Sequence, residues 1–288
     1  VYMEERHLWE GFRRGPVGLE PWPDSATRHI QGAFRVWGPT RGIHWTDRSR
    51  TLRDGFPRFK AVASLDMNTR WVAGVDAVRI LDELRKQYPS TGSYPFMIGD
   101  EKDLELLEET AEFESQVAAE IVGSSLEIDV DAWLVERRKE AEWYEFDEVG
   151  TIGEWPRELP DRGSLTIHTD IRTGKCKPKV LLGLARVDAS WHLPATLKWG
   201  SWNSCPQPQL HCAFHRHWQE QLGAEITGMS HDVIECVVAH PPTNQTAAMN
   251  LAREQYWYCP DIVEQGCGSI SKLGATLMNS RYWYFWWD

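Results

Sequence analysis

Tryptophan is the feature that most constrains this chain, because 16 of its 288 residues are tryptophan. An indole ring buries a large apolar area, and its N–H group needs a hydrogen-bond partner once the ring leaves water. The hydrophobic and charged fractions, 42% and 25%, are those of ordinary globular domains. We therefore expect a folded chain with a tryptophan-rich core. The alternative is that several rings form an exposed groove or a protein-binding patch.

The length of the chain and its cysteines indicate in which cellular compartment the protein is found. A chain of 288 residues allows one large domain or two ordinary ones, and it needs no disulfide framework. No apolar run approaches the roughly 18–20 residues that a membrane-spanning helix needs. Residues 1–15 lack the apolar core of a signal peptide. We expect a cytoplasmic location, where the six scattered cysteines stay reduced. They are Cys176, Cys205, Cys212, Cys236, Cys259 and Cys267.

Negative charge is concentrated in one part of the chain. The formal net charge is −11 at neutral pH, and residues 101–150 alone contain 17 acidic residues against four basic ones. Residues 1–60 have the opposite sign, with 11 basic and seven acidic residues. An acidic chain disfavours general nucleic-acid binding, which needs a basic face. The stretch 101–148 is therefore either a solvated helix face or a surface that attracts a basic partner.

The pattern along the chain divides it into four segments. Residues 1–58 form an irregular or small β-rich lead-in, because glycine and proline recur there. Residues 59–145 form an α/β segment with acidic helices, in the order β-α-β-α-α. Residues 146–177 are a connector rich in turn residues. Residues 178–288 form an α+β domain in the order β-β-α-β-β-α-α-β, so we predict a mixed or antiparallel sheet with helices packed on it.

Periodicity and capping residues give the predicted elements of the two larger segments. In the first segment they are a strand at 59–65, a helix at 75–88 stopped by Pro89, a strand at 94–98, a helix at 104–122, and a helix capped by Asp129. In the second they are strands at 180–187 and 194–199, a helix at 209–222 closed by Gly223, strands at 224–228 and 233–239, a helix to 258 capped by Thr243 or Asn244, a helix capped by Ser269, and a strand at 281–287.

The carboxy-terminal segment resembles a known bacterial family. Residues 197–206, L-K-W-G-S-W-N-S-C-P, are similar to the G-x-W-N-x-C-P segment of the family called domain of unknown function 4253 (DUF4253). The resemblance continues through Trp218 with 222–226, the Pro241-Pro242 pair, 252–256, 258–266 and the aromatic ending 282–288. It is strong over about 178–288 and looser over about 59–145, where 91–100 and 131–134 carry it. The family has no established activity, so the resemblance implies a domain and a bacterial setting but no chemistry.

Two histidines one helical turn apart raise the question of a metal site. His211 and His215 share one helix face, as a metal-binding pair would. The metalloprotease motif requires Glu directly after the first His, where this chain has Cys212, and no third ligand follows at a fixed spacing. We therefore predict partly exposed, solvated histidines and no metal or other cofactor.

Two cysteines within the resemblance each precede a proline. A nucleophilic cysteine needs a lowered thiol pKa, supplied by a protonated histidine or a helix amino terminus. Cys205 lies just before a predicted helix, which suits a thiolate, whereas Cys259 lies at a helix end, where the dipole opposes one. Free cysteines are often buried, so we expect structural packing for both and keep a reactive thiol as the alternative.

Polar turn residues and tryptophans complete the candidate site. Four polar residues inside the segments that carry the resemblance either close turns or line a pocket beneath four tryptophans. The candidate pocket or interface consists of Trp199, Trp202, Asn203, Cys205, Cys259, Asp261, Gln265, Trp286, Trp287 and Asp288.

These observations favour a non-catalytic protein-binding module. The chain lacks the G-x-S-x-G elbow, the dinucleotide-binding G-x-G-x-x-G and the H-E-x-x-H motif. We expect another protein, one with a basic surface, as partner, and neither nucleic acid nor a membrane; an immunity-like protein that neutralises a basic toxin is the specific form. The alternative is a small-molecule enzyme of hydrolase or transferase type that uses Cys205 or Asp261 in a tryptophan-lined pocket.

Overall fold

A computed structural model describes residues 59–143, 151–160 and 163–288. These residues form one seven-stranded mixed sheet with helices packed on it, which confirms the predicted α+β class. The predicted lead-in 1–58 lies outside the described residues. Within the described part of the chain, no helix combines the length and the apolar character needed to cross a membrane.

The sheet has the order β1-β2-β4-β3-β5-β6-β7. All neighbouring strands are antiparallel except β3 and β5, which are parallel. The strands are β1 (Lys60–Val62), β2 (Met67–Ala73), β3 (Ser93–Gly99), β4 (Lys179–Arg186), β5 (Ala224–Met229), β6 (Val233–Val238) and β7 (Tyr282–Trp286).

Helices connect and cover these strands. Those of the first part are α1 (Ala77–Thr91), α2 (Glu101–Phe113), α3 (Ala118–Leu126) and α4 (Val130–Trp143). Those of the second part are α5 (Leu193–Thr196), α6 (Pro208–Leu222), α7 (Gln245–Tyr258) and α8 (Ile270–Leu277), with a π-helical turn at Ile262–Cys267 between the last two.

One core extends through both larger segments of the chain. Strand β4 lies between β2 and β3, so the later segment completes a sheet begun by the earlier one. Side chains alternate between the two faces: Leu181 and Ala185 join the large core under α6 and α7, while Val180 and Leu182 pack against α1. The candidate site therefore lies on a sheet to which the segment 59–145 contributes strands β1, β2 and β3.

The predicted strand at 194–199 is wrong. This stretch contains α5 and a turn, in which the N–H of Trp199 donates to the carbonyl of Pro194. Pro194 occupies one of the first helical positions, where its missing N–H costs nothing and its fixed φ favours the helix. A short apolar run is equally compatible with a strand and with a buried helical turn.

The amino-terminal elements also differ in detail from the prediction. Strand β2 is not among the predicted elements, and the single predicted helix at 104–122 is two helices, because Glu114 is extended between α2 and α3. Pro89 does not stop α1, which ends at Thr91 and is closed by Gly92 with φ of 65°. The predicted caps Asp129, Asn244 and Ser269 are confirmed, since each side chain accepts a backbone N–H of its helix.

Candidate functional site

The loop between α5 and α6 has an unusual backbone. Lys198, Ser201 and Asn203 have φ angles of 51°, 74° and 45°, and Gly200 has φ of 120°. Residues with side chains reach this region at a cost of about 1 kcal/mol or more each, so the surrounding contacts must hold the loop in shape. Gly200 lies so close to the next helix that an added Cβ would stand 3.0 Å from the ring of His211.

A chain of buried hydrogen bonds runs inward from this loop. The Sγ of Cys205 lies 3.4 Å from Nε2 of His211, whose Nδ1 lies 2.6 Å from the hydroxyl of Tyr258. The same hydroxyl lies 3.1 Å from Nε2 of His215, whose Nδ1 lies 3.7 Å from the Sγ of Cys236. All five side chains are buried. Since a hydroxyl carries one hydrogen, it can donate to only one of the two imidazoles.

Burial keeps this chain of groups uncharged. Loss of water lowers the pKa of His211 and lowers that of His215 to about 3. The same cause raises the pKa of the Cys205 thiol and of the Tyr258 phenol. Cys205 and His211 therefore rest as a neutral thiol and a neutral imidazole rather than as an ion pair.

The prediction of solvated histidines is wrong, because His211 and His215 are 0% and 1% exposed. Helix α6 contacts α3, α5 and β5 at once, so its buried surface is wider than the apolar stripe of the sequence suggests. The side chains of His211 and His215 can lie in that buried surface because both form hydrogen bonds with the hydroxyl of Tyr258. Among the described residues, no group of three histidine, cysteine or carboxylate side chains could hold a metal ion.

Tryptophans of the candidate site surround the outer end of this chain of groups. The ring of Trp199 lies 4.7 Å from that of Trp202, 4.8 Å from that of His211 and 5.3 Å from that of Trp287. Trp199 and Trp287 are buried and Trp202 is half-buried, so these rings belong to the core rather than to an exposed groove. Nε1 of Trp199 donates to the carbonyl of Ser230 at 2.7 Å. Nε1 of Trp287, by contrast, is buried and has no hydrogen-bond partner.

The four polar residues of the candidate site form one connected set. Nδ2 of Asn203 donates to the carbonyl of Asp288 at 2.7 Å, and the N–H of Asp288 donates to Oδ2 of Asp261 at 3.1 Å. Nε2 of Gln265 donates to the other oxygen of Asp261 at 3.1 Å. Asp261 is close enough to Cys205 to add to the rise of its thiol pKa.

The remaining candidate residues join the same region. The thiol of Cys259 donates to the carbonyl of Trp286 at 3.1 Å, and Cys259 also adds to the rise of the Cys205 pKa. Nε1 of Trp286 donates to Asp232 at 3.1 Å in the turn that follows β5. The structure thus brings all ten residues of the candidate site together around the end of β7 and the loop before α6.

Sequence reasoning missed a histidine–aspartate pair at the carboxyl ends of the parallel strands β3 and β5. Nδ1 of His231 lies 2.7 Å from Oδ1 of Asp103, whose Oδ2 accepts the N–H of Asp100 at 2.8 Å. The bond to Asp103 raises the pKa of His231. The two side chains are 128 positions apart, so no local pattern could have paired them.

The pair of His231 and Asp103 should make the stability of the folded protein depend on pH. We expect His231 to titrate above the pH of about 6.5 typical of a free histidine, and Asp103→Asn to lower that midpoint. Because the folded state favours the charged imidazole, its stabilisation is present below pH about 6.5 and is lost as pH rises through the raised pKa. Imidazole chemical shifts in both proteins measure the midpoint, and an unchanged midpoint in the variant would contradict the assignment.

Helices α2 to α4 carry a surface that we call the acidic surface. Its exposed carboxylates are Glu101, Glu105, Glu109, Glu112, Glu120, Glu127, Asp129, Asp131, Glu136 and Glu140. A groove of about 650 Å³ lies beside α4 and is lined within 128–140 by both apolar and charged side chains. Ile128, Trp133 and Val135 supply apolar lining, and Glu136 and Glu140 supply negative charge.

Comparison with known families finds a match in the carboxy-terminal part of the chain. Residues 181–288 match the family described as domain of unknown function (DUF4253), which confirms the resemblance inferred from the tryptophan, cysteine and proline motifs. No curated protein and no solved structure matches the chain.

Proposed function

We propose that this protein binds a basic protein partner through the acidic surface. The observation that carries the proposal is that large apolar side chains stand exposed among the carboxylates of α2 to α4. Phe113, at the end of α2, is 90% exposed, and Val117, Leu126 and Val135 are between 47% and 56% exposed. Single exposed apolar side chains are common on solvated surfaces, but four of them within one acidic stretch suit the apolar centre of a protein interface with a charged rim.

Charge defines which partner would fit. The acidic surface lies within residues 101–150, which contain 17 acidic residues and only four basic ones. A partner with Lys and Arg around an apolar patch would neutralise these carboxylates while it covers Phe113. Attraction across a Debye length of about 8–10 Å would mainly speed the encounter, and apolar contact would slow dissociation.

The groove beside α4 offers a place for a basic side chain. The guanidinium of Arg137 lies 5.7 Å from the ring centre of Trp133 and pairs with Glu140 at 3.1 Å. Both side chains of this ion pair are about half exposed, so the pair contributes little to stability and an arginine of the partner can replace Arg137. Neutralisation of a basic toxin, as an immunity protein would do, is the specific form of this proposal.

A basic amphipathic probe tests the acidic surface. We expect an 18-residue helical peptide of Lys and Leu to bind the full chain, with an association rate that falls steeply as NaCl is added. Glu136→Gln with Glu140→Gln should slow association about fivefold at low salt, and Phe113→Ser should speed dissociation with little change in association. Stopped-flow fluorescence measures both rates.

Asp82→Asn is the matched control for charge removal. Asp82 is exposed on α1, which packs on the opposite face of the sheet from the large core. The control should bind the peptide like the parent. Absence of binding, an association rate indifferent to salt, or equal slowing by the control would refute the proposal.

A further inference from the structure

We propose that Cys205, His211 and Trp287 form a catalytic site that takes acyl groups from small thioesters or aryl esters, with Tyr258 as a positioning residue. This activity goes beyond the proposed binding of a basic protein and uses none of the acidic surface. It stands on three observations: the contact of a thiol with an imidazole, an indole N–H without a partner beside them, and the backbone of the loop that carries the thiol.

The first observation is the geometry of a nucleophile, its base and a group that orients the base. Cys205 Sγ lies 3.4 Å from His211 Nε2, within reach for proton transfer, and Tyr258 holds the opposite nitrogen of the same ring at 2.6 Å. We assign to His211 the tautomer whose Nδ1 donates to the phenol oxygen, so that Nε2 is the acceptor that faces the thiol. This is the tautomer a general base requires. Because burial keeps both the thiol and the imidazole neutral at rest, Cys205 is no preformed thiolate, and its proton must pass to His211 during attack on the substrate.

The second observation is the indole N–H of Trp287. This group is buried and has no hydrogen-bond partner, although leaving a buried donor unpaired costs about 1–3 kcal/mol. The ring lies 5.2 Å from that of His211 and 5.3 Å from that of Trp199, and His211 contacts the thiol, so this indole packs in the same cluster as Cys205. A carbonyl oxygen that gains negative charge during attack by Cys205 would give this N–H its missing acceptor.

The third observation is that the thiol sits in a constrained loop near the surface. The left-handed residues Lys198, Ser201 and Asn203 strain the loop, and such strain collects at functional sites. Cys205 itself is 5% exposed, yet its neighbour Ser204 is exposed. Access of a small substrate to the thiol therefore requires the loop to move outward.

The reaction proceeds through a thioester. As Sγ of Cys205 bonds to the carbonyl carbon, its proton passes to Nε2 of His211, and the carbonyl oxygen accepts from Nε1 of Trp287. The intermediate then collapses, the bond to the leaving thiol or phenol breaks, and the leaving group takes the proton from His211. Water next attacks the acyl-cysteine while His211 takes its proton and returns it to the departing thiolate. The products are a carboxylic acid, the thiol or phenol, and unchanged enzyme.

The experiment uses the full chain and 4-nitrophenyl acetate as probe. We expect a burst of nitrophenolate and one acetyl group on Cys205, located by mass spectrometry of peptides. Cys205→Ala should abolish the burst. Trp287→Phe should slow acetylation about a hundredfold through loss of the donor. Tyr258→Phe should slow it about tenfold and shift its pH profile, because His211 loses the group that fixes its tautomer.

Two other thiols supply the controls. Cys212 is also buried and packs in a separate cluster with Ile121 and Ala195, so Cys212→Ala reproduces the loss of a buried thiol and should keep the burst. Cys176 is exposed and reports the reactivity of an ordinary thiol. Acetylation of Cys176 without Cys205 in the parent, or an equal burst from Cys205→Ala, would overturn the proposal. The peptide mapping needs no variant, so it tests the proposal even where a substitution impairs folding.

Discussion

Glu254→Gln is expected to stabilise the folded protein at about pH 8 and to change its stability little at about pH 4.5, because burial raises the pKa of this carboxyl from 4.5 to about 7. Glu254 lies on α7, where Oε2 accepts the indole N–H of Trp218 at 3.1 Å and lies 3.8 Å from Nε2 of His217. Glutamine keeps an oxygen for Trp218 but cannot acquire a charge.

The sign and size of the effect follow from proton linkage. The folded state holds the Glu254 proton more tightly than the unfolded state, so stability falls as pH rises from about 4.5 to about 7. A rise of that size corresponds to at most about 3.5 kcal/mol at alkaline pH. Asp131 of α4 adds to the rise of this pKa, and Arg138 of the same helix opposes it.

Denaturant titrations between about pH 4.5 and 8.5 measure the difference between parent and variant. Comparing the two proteins at each pH removes the contribution of Glu235, whose pKa burial also raises. Asp82→Asn removes an exposed carboxylate from α1, on the other face of the sheet, and should leave the pH dependence of the parent unchanged. A Glu254→Gln variant that loses stability with alkali as steeply as the parent would show that Glu254 does not titrate near neutrality.

The sequence predicts those elements whose ends are fixed by neighbours along the chain. Gly223 closes α6 with φ of 62°, and Asn244 and Ser269 cap α7 and α8, because one residue type satisfies a helix end without help from elsewhere. Strand β2 escapes prediction because it exists through its pairing with β4, from more than a hundred positions later. Its own residues alternate only weakly between buried and exposed.

The candidate site shows the same division between local and distant causes. The sequence marks Asn203, Cys205, Asp261 and Asp288 as polar or reactive turn residues, and the fold brings them together. The groups that each of these four residues contacts come from distant parts of the chain. The sequence marks Tyr258 only as a helix end, yet its hydroxyl joins both histidines of α6 and supplies the hydrogen bonds that their buried nitrogens need.

Gly200→Ala should be among the most destabilising single substitutions in this chain. The φ of 120° at Gly200 is a region that residues with a Cβ rarely adopt. The new methyl would collide with the carbonyl oxygen of Pro206 and press on the ring of His211. We expect a loss of about 4 kcal/mol in the free energy of unfolding, seen as a fall of roughly 10 °C in Tm.

Two other glycines separate the causes of this loss. Gly92 has a left-handed φ of 65° with open space around it, so Gly92→Ala measures backbone strain alone and should cost about 1 kcal/mol. Gly123 lies inside α3 with neither strain nor neighbours, so Gly123→Ala should stabilise by about 0.5–1 kcal/mol. If Gly200→Ala costs no more than Gly92→Ala, the loop yields without collision. It would then be too soft to hold Cys205 against His211, and the catalytic geometry proposed for that pair would lose its support.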